Sequence, residues 1–161
     1  MDEVVIRSAR DEDSEKLIRM IDAVFAEHPG CILDVDAEMP ELRAPATAAR
    51  TDSGRWWVAE RGGQIVGSVA VVPEENGNVE LKKLYVLQTA RRSGLGAQLV
   101  ALAESEARER RARAMVLWTD TRFRDAHMLY AKLGFVRAPR TRLLNDISNS
   151  VEFHYSKELT P

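Results

Sequence analysis

The sequence predicts a mixed α/β fold, a central sheet with helices on both faces. Three observations predict it. Residues 55–60 and 64–72 have strand character and flank a Gly62-Gly63 turn, the pattern of an antiparallel hairpin. The chain then takes a helical period, with Leu95, Leu99, Leu102 and Ala103 on one stripe, between strands ending near Val86 and Leu117. Such strand–helix–strand units favour parallel neighbours, whereas the hairpins favour antiparallel ones.

Along the chain, residues 4–6 read as a first strand. Asp11, Asp13 or Ser14 can cap a helix carrying Leu17, Ile18, Ile21 and Phe25, which His28-Pro29-Gly30 stops. Residues 30–54 are the least regular part, one or two short helices or a long loop, with acids at Asp34, Asp36, Glu38 and Glu41. The hairpin leads through a turn at 73–78 into a strand at 79–86. After the helix that starts near Leu95 and the strand at 114–118, a second helix puts Phe123, Ala126, Tyr130 and Leu133 on one face and ends at Gly134. Strands near 136–144 and 151–156 close the chain across a polar turn at 145–150.

At 161 residues the chain reads as one domain, 1–161, large enough to bury a core. A net charge of −2 gives no basic field for nucleic acid or an anionic membrane. Arg108, Arg110, Arg111 and Arg113 alternate with Glu104, Glu106 and Glu109, which reads as a solvated helix face with mixed ion pairs. No apolar run approaches the ~20 residues of a membrane span. Cys31 is the single cysteine, so no internal disulfide forms; a cytoplasmic setting fits, and nothing near it except His28 suggests a catalytic thiol.

The stretch 89–100, TARRSGLGAQLV, sets Arg91 and Arg92 just before a helix N-terminus, where cations are unfavourable unless an anion joins them. Gly94 and Gly96 let backbone N–H groups approach a phosphate, and the helix dipole adds attraction. A diphosphate fits. The dinucleotide pattern fails because Leu99 stands where its third glycine belongs, and no Gly-Lys-Ser/Thr of a P-loop follows. The plainer reading is glycines that ease a strand-to-helix turn.

Residues 91–96, RRSGLG, after Leu84-Tyr85-Val86 resemble the acyl-CoA-binding motif of the GCN5-related N-acetyltransferases, Gln/Arg-x-x-Gly-x-Gly/Ala. Residues 126–135, AHMLYAKLGF, resemble that family's second signature, A-x-x-LY-x-x-x-GF. The two motifs stand in the right order and separation, and the element order matches over 4–157. The resemblance implies the acyl-CoA N-acyltransferase fold: a mostly antiparallel sheet of about seven strands with a splayed strand 4–5 pair. It implies acetyl-CoA as co-substrate and no metal. The pantetheine arm would run beside Leu84, Tyr85 and Val86, with an N–H near Val86 holding the acetyl carbonyl as negative charge develops on it. The diphosphate would sit on Arg91, Arg92, Ser93, Gly94, Leu95, Gly96 and Ala97.

Direct transfer needs an uncharged amine, and deprotonating a lysine-like amine at pH 7 costs roughly 4–5 kcal/mol. Glu80 is the first candidate base, because period-2 counting puts it on one strand face with Leu84 and Val86. Its plainer reading is a solvent-facing glutamate paired with Lys82 or an arginine. Asp120, also readable as a helix cap, and His127 are the alternatives, or water. The family position that carries glutamate in some members is Trp118 here. Tyr130 is the general acid by resemblance, and Phe123 stands where many relatives have a CoA-contacting asparagine.

The acceptor is expected to be a small-molecule primary amine, drawn in by Asp34, Asp36, Glu38 and Glu41 unless these are only a solvated loop, and read by the 145–150 turn. Trp56 and Trp57 cannot share one face; one lines the pocket, or they serve core or interface, a homodimer included. The alternatives are a protein or peptide amine as acceptor, or a CoA-binding sensor without turnover.

Overall fold

The computed structural model describes residues 2–159. Its strands are β1 (Val5–Ser8), β2 (Arg55–Arg61), β3 (Gln64–Pro73), β4 (Val79–Val86), β5 (Ala114–Asp120), β6 (Val136–Leu143) and β7 (Val151–Glu158). They form one seven-stranded sheet in the order β1-β2-β3-β4-β5-β7-β6. Every neighbouring pair is antiparallel except β4–β5. The helices are α1 (Ser14–Phe25), α2 (Val35–Glu38), α3 (Pro45–Thr51), α4 (Leu95–Glu109) and α5 (Arg124–Lys132).

Helices cover both faces because the strands are apolar on both. On one side Leu95, Leu99, Val100 and Ala103 of α4 pack on Val69, Val71, Leu81, Met115 and Leu117. On the other, Leu17, Ile21 and Val24 of α1 pack with Leu42, Trp56, Val58 and Ala70. Trp56 and Trp57 are therefore both buried, one in each core, and neither is free for an interface. Trp56 settles its indole N–H on Ser68 Oγ at 2.9 Å. The irregular region resolves into α2, a 3-10 turn at Pro40–Arg43 and α3, with a proline opening each of the last two.

Two irregularities of β4 break the regular sheet at its centre. Its ladder with β5 holds only Val79↔Met115 and Glu80↔Val116, after which the strands part. Its ladder with β3 slips between Ser68↔Tyr85 and Ala70↔Lys82, so Lys83 and Leu84 together oppose Val69 in a β-bulge, with Lys83 at φ 56°. The extra residue reverses the alternation. Val79 and Leu81, then Leu84 and Val86, all face the α4 side, while Tyr85 faces α1. Glu80 therefore lies on the opposite face from Leu84 and Val86, which corrects the period-2 expectation.

Candidate active site

The parting of β4 from β5 leaves a strand edge inside the sheet. Leu87 N–H donates to Val66 O on β3, so alternation turns the N–H groups of Val86 and Leu84 toward the parted side. An extended chain can pair there as an added strand.

At the end of that edge the chain makes a 3-10 turn at Gln88–Ala90 and enters α4. Gly94 precedes the helix at φ 81°, a left-handed conformation that glycine adopts without strain. A Cβ on Gly96 would stand 3.1 Å from Leu129 Cδ2, so glycine there lets α4 and α5 close together. Arg91 N–H bonds Gln88 O and Gln98 N–H bonds Gly94 O, but the six N–H groups between them, 92–97, donate to no acceptor among the described residues. Consecutive free donors at a helix N-terminus fit a phosphate. That is the shape and polarity a CoA diphosphate requires.

Arg91 departs from its expected place. Its Nε donates to Val86 O at 3.0 Å, and its Nη1 and Nη2 donate to Glu27 Oε1 and Oε2 at 2.6 and 2.7 Å. With its fork committed to Glu27, Arg91 fixes the loop and does not face an anion. Arg92 is exposed at φ 63°, and among the described residues its side chain has no hydrogen-bond or ion-pair partner.

Tyr130 is 4% exposed on α5, with its ring 5.5 Å from that of Tyr155 and 5.7 Å from that of Phe135. Among the described residues its hydroxyl has no hydrogen-bond partner. Burial, with Tyr155 adding to it, pushes the phenol well above its ordinary value, so the proton stays on. Tyr130 packs on the α4 side with Leu84 and Val86. Phe123 joins Phe25 and Tyr85 in an aromatic cluster on the α1 side.

Of the candidate bases, Glu80 is the one left free. It is half-buried and has no hydrogen-bond or ion-pair partner among the described residues. Burial pushes its carboxyl up, and Lys82 and Arg142 only partly counter this. Asp120 is tied: Arg122 Nε and Nη2 reach its two oxygens at 2.9 and 2.8 Å, and Arg122 N–H donates at 2.8 Å. Burial would raise Asp120, but these donors outweigh it and hold the carboxyl below the usual range. His127 donates from Nε2 to Asp120 O at 2.9 Å and stacks on Tyr155; burial lowers its proton affinity.

The acids of the irregular region are largely engaged. Asp34 caps α2 through Ala37 N–H, Asp36 pairs with Arg43, and Glu41 meets Lys83 Nζ at 2.7 Å. Ser148, in the turn after β6, accepts from Ile32 N–H at 2.8 Å and donates to Ile32 O at 3.1 Å, which joins the two loop regions beside the parted strands. Glu27 and Lys83 carried no local signal, because each owes its role to a partner distant in sequence, and Ser148 lies in the polar turn the sequence marked but bonds Ile32. Cys31 is half-buried, and burial pushes its thiol up, away from nucleophilic use. Among the described residues no group of acids, histidines and cysteines could hold a metal ion, and no helix is long and apolar enough to cross a membrane.

Residues 15–135 match the family model of the acetyltransferase (GNAT) family. The chain is 30% identical over 136 residues to the uncharacterized N-acetyltransferase YjgM of Escherichia coli K12, covering 81% of each chain. It is 35% identical over 83 residues to an aminoalkylphosphonate N-acetyltransferase of Salmonella typhimurium, covering 48% of this chain and 54% of that one. The solved structure of yncA from Salmonella typhimurium, with its cofactor acetyl-CoA, matches at a TM-score of 0.74 and 17% identity, over 99% of this chain and 95% of that one.

Proposed function

Because the chain belongs to the GNAT family of acetyltransferases, we propose that it moves the acetyl group of acetyl-CoA directly to the primary amine of a small molecule. The parted β4–β5 pair carries this reading. It leaves the Val86 N–H free in the gap between the strands, with Tyr130 on the α4 face and Glu80 on the α1 face. A proton acceptor and a proton donor thus flank one opening, where a base can serve the amine and an acid the sulfur.

In this reading the N–H groups of 92–97, with Arg92, hold the diphosphate, and β4 pairs with the pantetheine amides. Glu80 takes the proton from the incoming ammonium, directly or through one water. The amine nitrogen then bonds to the thioester carbonyl carbon, and Val86 N–H holds the oxygen as it gains charge. As the C–S bond breaks, its electron pair leaves on sulfur, which takes the Tyr130 proton or a strong hydrogen bond from it, and the nitrogen's second proton passes through water to restore the phenol or to neutralise the thiolate. A phenol with raised proton affinity favours the hydrogen bond over full transfer.

A small acceptor is supported by the small-molecule amine in the name of one relative. The test is thiol release from acetyl-CoA against amines, amino acids, polyamines and peptides. Turnover confined to small amines supports the proposal, and turnover confined to peptides replaces it. Acetyl-CoA binding without turnover across the panel makes the protein a sensor. At about 100 times its Kd acetyl-CoA should stabilise the fold by ~2.7 kcal/mol, and a zero shift removes both readings.

A further inference from the structure

On the α1 side, α1 packs on β3 and β4 and α3 on β2, and among the described residues the main helix contacts of β5 and β6 are with α4 and α5 on the other face. The middle of the floor that β5, β7 and β6 form on the α1 side is Trp118. Two guanidinium groups from β6 stand over its indole, Arg142 with Cζ 4.2 Å from the ring centroid and Arg140 at 5.5 Å. His154, opposite Trp118 in the β5–β7 ladder, meets it edge-on at 4.7 Å.

The two arginines differ in what neutralises them. Arg142 donates to Glu152 Oε1 at 2.7 Å. Arg140 has no carboxylate among the described residues; its Nη2 donates to His154 Nε2 at 3.2 Å. A guanidinium can only donate, so Nε2 is the lone-pair nitrogen and the proton sits on Nδ1. That Nδ1 is buried without a partner, and His154 is 7% exposed. Burial and the two arginine charges keep the ring neutral. Arg140 is thus oriented by an imidazole and an indole face, neither of which cancels its charge. A solubilising arginine on an edge strand needs no such buried acceptor. Glu80 opens on the same floor, beside Val116 of β5, close enough to feel the Arg142 charge.

We propose that the acceptor bears an oxyanion, a carboxylate or phosphonate, on the same small molecule as its amine, and that Arg140 on Trp118 binds that oxyanion while Glu80 faces the amine. His154 is the positioning residue that holds Arg140 in place. The proposal rests on the acetyl-transfer reading of the site.

Matched acceptors test it: β-alanine against β-alaninamide, and 2-aminoethylphosphonate against ethylamine. Thiol release gives kcat/KM, and calorimetry on the CoA-bound protein gives affinity independently of turnover. The acid of each pair should be favoured by about tenfold or more. Arg140→Gln should erase the preference with acetyl-CoA KM unchanged. Arg137→Gln, on the same strand but over Phe153 on the other face, should keep it. His154→Gln, which retains an acceptor, should keep more of the preference than His154→Leu. Equal use of acid and amide, or a preference that survives Arg140→Gln, overturns the proposal. Acid-selective binding without thiol release upholds the subsite and overturns the transfer reading instead; equal binding without release overturns both.

Discussion

Arg91 and Glu27, 64 residues apart, form a two-point clasp with both N–O distances below 2.8 Å, while the same guanidinium caps the carbonyl of Val86. The clasp ties the end of the α1 region to the loop whose N–H groups are proposed to hold the diphosphate. It also occupies Val86 O, the carbonyl of the residue whose N–H is proposed to hold the thioester oxygen. Glu27→Gln should raise acetyl-CoA KM about fivefold, the effect of a ~1 kcal/mol ion pair, with kcat little changed. Initial rates at saturating amine check this, and a fall in kcat at constant KM would refute it.

Tyr130→Phe removes only an oxygen, and that oxygen has no protein partner among the described residues. Thermal stability should therefore hold while kcat falls by roughly 10²-fold, the lower end of general acid contributions. Because burial keeps the phenol protonated, no alkaline limb of the wild-type profile should vanish in the variant.

Glu80 must lose its proton to act, and burial raises its proton affinity. The rate should rise with pH through a limb above the ordinary carboxylate value of ~4.3, and Glu80→Gln should abolish that limb. The stability effect has the opposite sign. A carboxyl raised in the folded state stabilises the fold below its unfolded pKa, and this is lost as pH rises through the folded value. Glu80→Gln should accordingly melt higher than wild type at pH 7, so less activity accompanies a firmer fold. A lower melting temperature would show that the glutamate is not working against burial.

Asp120 titrates the other way. Its contribution is present above the unfolded value of ~3.9 and is lost as pH falls through the lowered folded value. Asp120→Asn should cost about 1–3 kcal/mol at pH 7 by leaving Arg122 unpaired, and should leave the acid limb of the rate profile where it was. A shifted limb would transfer the base role to Asp120.

The element order and the two motifs were legible because their signals are local: apolar period, turn glycines and fixed spacing. The mixed ion pairs of the arginine-rich helix were legible in part: Arg108–Glu104 and Arg110–Glu106 form at i,i+4 spacing, but Arg111 and Arg113 lie past the end of α4 and form no ion pair among the described residues. The bulge was not. Lysine at φ 56° has no sequence signature, yet this single residue decides which face Glu80 shares. Alternation rightly separated Trp56 from Trp57. The helices predicted on both faces then bury both, a step the strand pattern alone does not contain. The clasp of Arg91 also lay beyond local reading, since an arginine before a glycine loop looks the same whether it meets a ligand or a distant glutamate.

Only two residue pairs, at Val79 and Glu80, stitch β4 to β5. The sheet is therefore two plates sharing a short seam, one of β1–β4 and one of β5, β7 and β6. A molecule that pairs with the open part of β4 acts as a removable eighth strand, and its departure leaves the amides of Leu84 and Val86 to solvent. Deuterium uptake should mark these two positions as the fastest within β4 in the free protein, and as the ones slowed most when the donor is bound.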